Sequence, residues 1–201
     1  MGRAAEMLAF MEDRGGVATW SELADAGFNP SLIDAMTRKG EIDRETRGVY
    51  ALADAIPDDL EAITARWGRA VLSHGSALYL HGLSDRYPLR VEITVPREYN
   101  ASNILAEYPS TIVYRASKEA YPLGIETVPS MTGASVRAYD KERCVCDMLS
   151  ARRSRDVDAQ TFRSALEGYF KSADKDLTKL SEYARVLGVE DELQRYAEVL
   201  S

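Results

Sequence analysis

An α+β chain in two parts is what the amino-acid sequence predicts, and three observations carry that expectation. Residues 1–56 read as three short helices closed by a hairpin, residues 70–139 gather the strand-like runs, and residues 140–201 return to three- and four-residue apolar spacing. At 201 residues the chain exceeds the usual single-domain size. A boundary is therefore expected inside ADAIPDD, giving an N-terminal part of residues 1–56 and a C-terminal part of residues 57–201.

Residues 3–14 place Ala4, Met7, Leu8 and Met11 at helical spacing before Gly15-Gly16. In TWSE, Thr19 stands three residues before Glu22, the spacing of a capping box, and opens a short helix through Ala26 with Leu23 on its buried side. Gly27 stops it. Asn29-Pro30 then supplies a cap and a first-turn proline for a third helix, expected to run to Lys39 before Gly40. EIDRETRGVYAL reads as strands Glu41–Arg44 and Val49–Leu52 around a turn ending in Gly48. Three short helices and a hairpin are the plan of a winged helix-turn-helix.

Beyond the boundary, Asp58 is expected to cap a helix carrying Leu60, Ile63 and Trp67, and RAVLSHG reads as a strand entering a tight turn. LRVEITVP alternates Val91, Ile93 and Val95 with Arg90, Glu92 and Thr94, as a half-buried strand does. STIVYRA, GIETVPS and ASVRAYD read as three more strands. From Asp140 onward helices return, with Asp140 and Asp158 as caps and Leu177, Leu180, Tyr183, Ala184 and Leu187 at helical steps. The second part is thus a mixed α/β domain, with strands mainly in 70–139 and a helical C-terminal subdomain in 140–201.

Composition narrows the function. With 45% hydrophobic and 28% charged residues the chain can bury a core and stay soluble. Its apolar runs fall far short of the roughly 20 residues of a membrane span. The opening MGRAAEMLAFMEDRGG carries acids where a secretory signal is apolar, so a cytoplasmic protein without a membrane partner is expected. Cys144 and Cys146, two apart on a helix, point to different sides and read as reduced core residues. Net charge is −7, which weighs against a surface coated for nonspecific nucleic-acid binding.

LSHGSALYLHGLSD holds both histidines, His74 and His81, beside Ser73 and Ser76. If it is helical, seven residues separate the imidazoles by about 10.5 Å of axis, too far for one metal ion. HGSAL lacks the second glycine of a nucleophile elbow, and no histidine follows His81 to act as base. Catalytic residues, metal and cofactor are therefore not expected. The bland reading has Ser73 or Ser76 capping a helix, Leu78, Tyr79 and Leu80 packing it, Gly82 ending it, and the histidines meeting local hydrogen bonds.

The same stretch, extended as LSHGSALYLHGLSDRYPLRVEITVP, resembles the central signature of the AbiEi-type antitoxins of type IV toxin–antitoxin, or abortive infection, systems. GVATWSELADAGFNPSLIDAMTRKGEIDRETRGVYAL resembles that family's winged-helix domain, and VRAYDKERCVCDMLSARRSRD and DLTKLSEYARVLGVEDELQRYAEVL its C-terminal segments. The resemblance implies a bacterial antitoxin whose N-terminal domain represses its own operon. It also implies a C-terminal domain that counteracts a nucleotidyltransferase-like toxin encoded beside it, with or without direct contact. The expected partner is double-stranded DNA of the protein's own promoter, at inverted repeats. The alternative is a protein-interaction module that binds the toxin and no DNA.

In a winged helix the second helix of the pair enters the major groove and the wing meets the backbone or minor groove. Leu32, Ile33 and Met36 of the third helix share a face suited to packing on the first. Ser31, Asp34, Ala35, Arg38 and Lys39 then make up the DNA-binding face, Arg38 suited to guanine and Ser31 to phosphate. Asp34 and Arg38 equally suit a solvated ion pair one turn apart. Arg44, Thr46 and Arg47 form a phosphate clamp in the wing, with Thr19 and Ser21 as further phosphate ligands. Through residue 56 six basic residues face ten acidic ones, net −4, so the cations have to be focused on one side; four of them fall in the third helix and wing. Arg152, Arg153 and Arg155 in SARRSRD are either a surface for RNA, toxin or DNA, or the basic end of a helix.

Overall fold

A computed structural model describes residues 2–14, 16–46, 48–53, 58–154, 157 and 159–200, with the backbone alone at 45, 46, 153, 154 and 197–200. Contacts divide the chain into two units, residues 1–68 with 127–136 and residues 69–126 with 137–201. The architecture is α+β throughout.

The first unit runs α1 (Arg3–Glu12), β1 (Val17–Thr19), α2 (Trp20–Asp25), α3 (Pro30–Lys39), β2 (Ile42–Thr46), β3 (Val49–Leu52) and α4 (Asp59–Arg66). The capping box opening α2 is complete. The Glu22 amide donates to Thr19 Oγ1 at 3.2 Å, and the Thr19 amide donates to Glu22 Oε2 at 2.7 Å. Asn29 Oδ1 accepts from the Leu32 amide at 2.8 Å, Pro30 stands in the first turn, and Gly40 closes α3 at φ +71°. Both ends of α3 are thus set by its own residues. Its position is set by the core, where Ile33 and Met36 are buried with Met7 and Met11 of α1, Leu23 of α2, Phe28, Ile42 and Tyr50. Phe10 meets Phe28 edge-on at 5.5 Å between ring centroids.

One element of this unit escapes the sequence pattern. β1 is three residues long, too short for alternation to show, yet it pairs antiparallel with β3 through Val17 opposite Ala51 and Thr19 opposite Val49. β3 pairs with β2 on its other side, so the hairpin is a three-stranded sheet in the order β1-β3-β2. That central place explains why Val49, Tyr50 and Ala51 are buried in succession. α4 is capped by Asp58 Oδ1, which accepts from the Leu60 amide at 2.9 Å, and it buries Leu60 and Ile63; Trp67 falls at its C-cap rather than on it.

The second set of elements is β4 (Val71–Leu72), α5 (His74–Leu80), β5 (Glu92–Pro96), α6 (Ser102–Glu107), β6 (Ile112–Ala116), β7 (Ile125–Pro129), β8 (Ser135–Tyr139), α7 (Lys141–Ser154), α8 (Ala159–Lys171), α9 (Leu177–Leu187) and α10 (Glu190–Leu200). The sheet order is β6-β5-β4-β8-β7, with β4 antiparallel to β5 and parallel to β8, and β5 parallel to β6. β5 is an interior strand. Ile93, Thr94 and Val95 are all buried, so the expected polar face is corrected at Thr94, whose hydroxyl donates to Ser73 Oγ at 2.9 Å. α6 has no counterpart among the sequence expectations, being six residues long with Ile104 buried.

α7 is the hub of the helices, in contact with α5, α8, α9 and α10. Cys144, Val145, Cys146, Met148 and Leu149 are all buried on it, and neither cysteine is in a disulfide. Asp140 caps it, Oδ1 accepting from the Arg143 amide at 2.8 Å, while Oδ2 takes Lys179 Nζ at 2.8 Å and the Tyr183 hydroxyl at 3.2 Å from α9. Leu180 and Ala184 pack as expected, whereas Leu177 is 51% exposed at the first turn of α9. The expected cap Asp158 lies outside the described residues.

Candidate nucleic-acid interface

The outward face of α3 is built by what its inward face does. With Ile33 and Met36 in the core, the helical period turns Ser31, Asp34, Arg38 and Lys39 to solvent, all exposed, with Ala35 partly buried between them. Arg38 Nε donates to the Asp34 carbonyl oxygen at 3.3 Å, so the bond joining these residues runs to the backbone rather than to the Asp34 carboxylate. Lys39 occupies the last turn, where the helix dipole favours a cation.

The wing adds Arg44, exposed on β2. Arg47 and the side chain of Thr46 lie outside the described residues, as do Arg155 and the side chain of Arg153. Thr19 is committed internally, since its hydroxyl donates to Glu22 Oε2 at 2.7 Å while accepting from the Glu22 amide. Ser21 is exposed one residue into α2.

The other cations of this unit's first 56 residues are engaged locally. Arg3 Nη1 pairs with Glu6 at 3.1 Å and its guanidinium lies over Phe28, while the Arg14 guanidinium sits 3.8 Å from the centroid of Phe10. Arg38, Lys39 and Arg44 therefore carry the exposed positive charge on α3 and the wing among the described residues. Sequence reasoning missed Trp20. It is 47% exposed, and its amide donates to the Gly48 carbonyl at 2.8 Å, which fixes the start of α2 against the wing turn. A lone aromatic after a capping residue carries no periodic signal that separates surface from core.

The histidine stretch does not gather a catalytic set. His74 Nδ1 lies 3.1 Å from Ser73 Oγ, and its ring stacks on Tyr114 with centroids 3.5 Å apart. His81 Nε2 is 2.7 Å from the Tyr139 carbonyl and 3.5 Å from Glu126 Oε1. The two rings have separate partners: His74 bonds locally to Ser73 as expected and stacks on Tyr114 of β6, whereas the partners of His81 come from the distant strands that hold Tyr139 and Glu126. Ser73 stands at the N-cap of α5 without a side-chain capping bond, and Ser76 Oγ accepts instead from the Glu92 amide at 2.9 Å. Gly82 follows the helix at φ +66°. Among the described residues no cluster of three or more His, Cys, Asp or Glu side chains is placed to hold a metal ion, and no helix is long and apolar enough to cross a membrane.

The order α1-β1-α2-α3-β2-β3 with a three-stranded sheet defines the first unit as a winged helix-turn-helix. Residues 6–53, from within α1 to just past β3, match the family model described as "Transcriptional regulator, AbiEi antitoxin". The resemblance read from the sequence is borne out over this quarter of the chain, and that family is one of regulators rather than enzymes. Among solved structures, the chain is similar to the RV2827C protein from Mycobacterium tuberculosis, with 19% identity and a TM-score of 0.47, over 94% of this chain and 76% of that one. No curated protein matches it.

Proposed function

We propose that this protein is a DNA-binding autorepressor and antitoxin, in which residues 1–56 form the DNA-binding domain and residues 57–201 the antitoxin domain. The observation that carries the reading is the disposition of α3, capped at both ends and anchored by Ile33 and Met36, with Ser31, Asp34, Ala35, Arg38 and Lys39 on its other side. Arg38 reaches a guanine edge, Lys39 and Ser31 position phosphates, and Arg44, Thr46 and Arg47 clamp the backbone beside the groove. Thr19 and Ser21 flank the same approach at the start of α2. The DNA is the promoter of the protein's own operon, at inverted repeats. The partner counteracted is a nucleotidyltransferase-like toxin.

The acidic balance of the first 56 residues supports a second reading, in which the winged helix binds the toxin directly and no DNA. The two part on a gel-shift titration with the operon's promoter. Arg38→Ala combined with Arg44→Ala weakens the shift under the first reading and changes nothing under the second.

A further inference from the structure

The Ser73–Ser76 stretch that holds no catalytic set is wrapped around one residue, Glu92, holding its backbone at two points and its carboxylate at one. The Ser73 amide donates to the Glu92 carbonyl at 2.9 Å, Ser76 Oγ accepts from the Glu92 amide at 2.9 Å, and the Gly75 amide donates to Glu92 Oε2. The Tyr114 hydroxyl donates to Glu92 Oε1 at 3.3 Å. Two features are set to allow this. His74 has φ +48°, a left-handed conformation that a side chain of its size rarely adopts. Gly75 leaves room for the carboxylate, since a Cβ there would stand 2.5 Å from Glu92 Oε2 and the Glu92 side chain would have to shift away.

What this arrangement faces is a cavity of about 190 Å³, lined by His74, Glu92, Tyr114, Leu78, Met148 and Thr161 among others. That is below the roughly 300 Å³ at which drug-sized sites begin, so it suits a single ring system. A second, more open cleft of about 390 Å³ shares Gly75, Glu92 and Thr161 with it and is bordered by Arg86, Arg90 and Tyr87. Arg86 and Arg90 are exposed there.

We propose that this double cavity binds a guanine nucleotide. A carboxylate offers about four acceptor positions, and Glu92 has given up two, which leaves an edge able to take paired N–H donors. Guanine presents two such donors side by side, N1–H and the exocyclic amine, whereas adenine presents an acceptor beside its amine. The stacked His74–Tyr114 rings supply a flat aromatic wall for a base, and Leu78 and Met148 supply apolar lining. Arg86 and Arg90 lie in the adjoining cleft as partners for phosphate.

The guanine can come from a free nucleotide or from a single-stranded RNA, and titration calorimetry of the full chain distinguishes them. The probes are GMP, AMP, guanosine, and short RNA strands with and without guanine. GMP is expected to bind at least about tenfold more tightly than AMP, and Glu92→Gln to lose about that factor while keeping the shape of the site. Arg86→Ala with Arg90→Ala, both at exposed positions that leave the core untouched, brings GMP down to the affinity of guanosine. Binding of the guanine-bearing RNA alone, still dependent on Glu92, assigns the RNA as the source. Equal binding of GMP and AMP, no binding by any probe up to about 1 mM, or full affinity in the arginine double variant overturns the proposal.

Discussion

Arg38 Nε donates to the carbonyl oxygen of Asp34, 3.3 Å away and one turn earlier on α3. A solvated bond of this kind contributes little to stability, and both residues are exposed. The value of Arg38 is therefore expected outside the fold, where a guanidinium can make a paired contact to a base edge.

Arg38→Ala is expected to leave the free energy of unfolding within about 0.5 kcal/mol of the parent while costing operator binding about 1–3 kcal/mol. Lys39→Ala is expected to weaken all sequences alike and to make the salt dependence shallower by about one in the log–log slope. Gel-shift titrations at several salt concentrations, run beside urea unfolding, measure both.

Removing a cap tests the fold that presents this face. Asn29→Ala takes away the acceptor for the Leu32 amide and is expected to cost about 0.5–2 kcal/mol, visible as a lower urea midpoint. Met36→Ala, which empties a core position, is expected to cost about 2–5 kcal/mol and to abolish DNA binding with it.

Glu61 makes stability depend on pH in a stated direction. It is buried, with Oε1 taking the hydroxyls of Ser130 and Thr132 and Oε2 buried without a hydrogen-bond partner among the described residues. Burial raises its pKa above the ordinary carboxylate value, the hydroxyl bonds oppose that, and Asp58 adds to the rise. The folded state thus holds this proton more tightly than the unfolded chain. Its stabilisation is complete below the unfolded-state pKa and is lost as pH rises through the folded one. Urea unfolding across that window is expected to show stability falling with pH, and Glu61→Gln to flatten the curve; a stability that rises there through this residue contradicts the assignment.

The thiols give a simpler test. Burial pushes Cys144 and Cys146 well above the ordinary thiol pKa, so neither presents a thiolate at neutral pH. A chromogenic thiol reagent is expected to find both unreactive in the native protein and both reactive after denaturation.

The first unit was legible where chemistry acts over three or four residues. Thr19 with Glu22, Asn29 with Pro30 and Gly40 place α2 and α3 at their observed bounds, because caps are local bonds. β1 and α6 were not legible, since three and six residues are too few for a period to emerge. Thr94 shows the third kind of limit. Its burial depends on β5 lying between β4 and β6, a pairing set by distant chain. On the interface, the outward face of α3 followed from its period, whereas the exposure of Trp20 beside Gly48 depended on the return of the wing. The grip of Ser73, Gly75 and Ser76 on Glu92 was likewise invisible, because those partners stand sixteen to nineteen residues apart.

The measurement closest to the central claim is a DNase I footprint of this protein on the promoter of its own operon at low salt. The parent is expected to protect inverted repeats, and Arg38→Ala with Arg44→Ala to lose that protection while unfolding at the parent's urea midpoint. No protection by the parent, or equal protection by the double variant, would contradict a DNA-reading role for the outward face of α3.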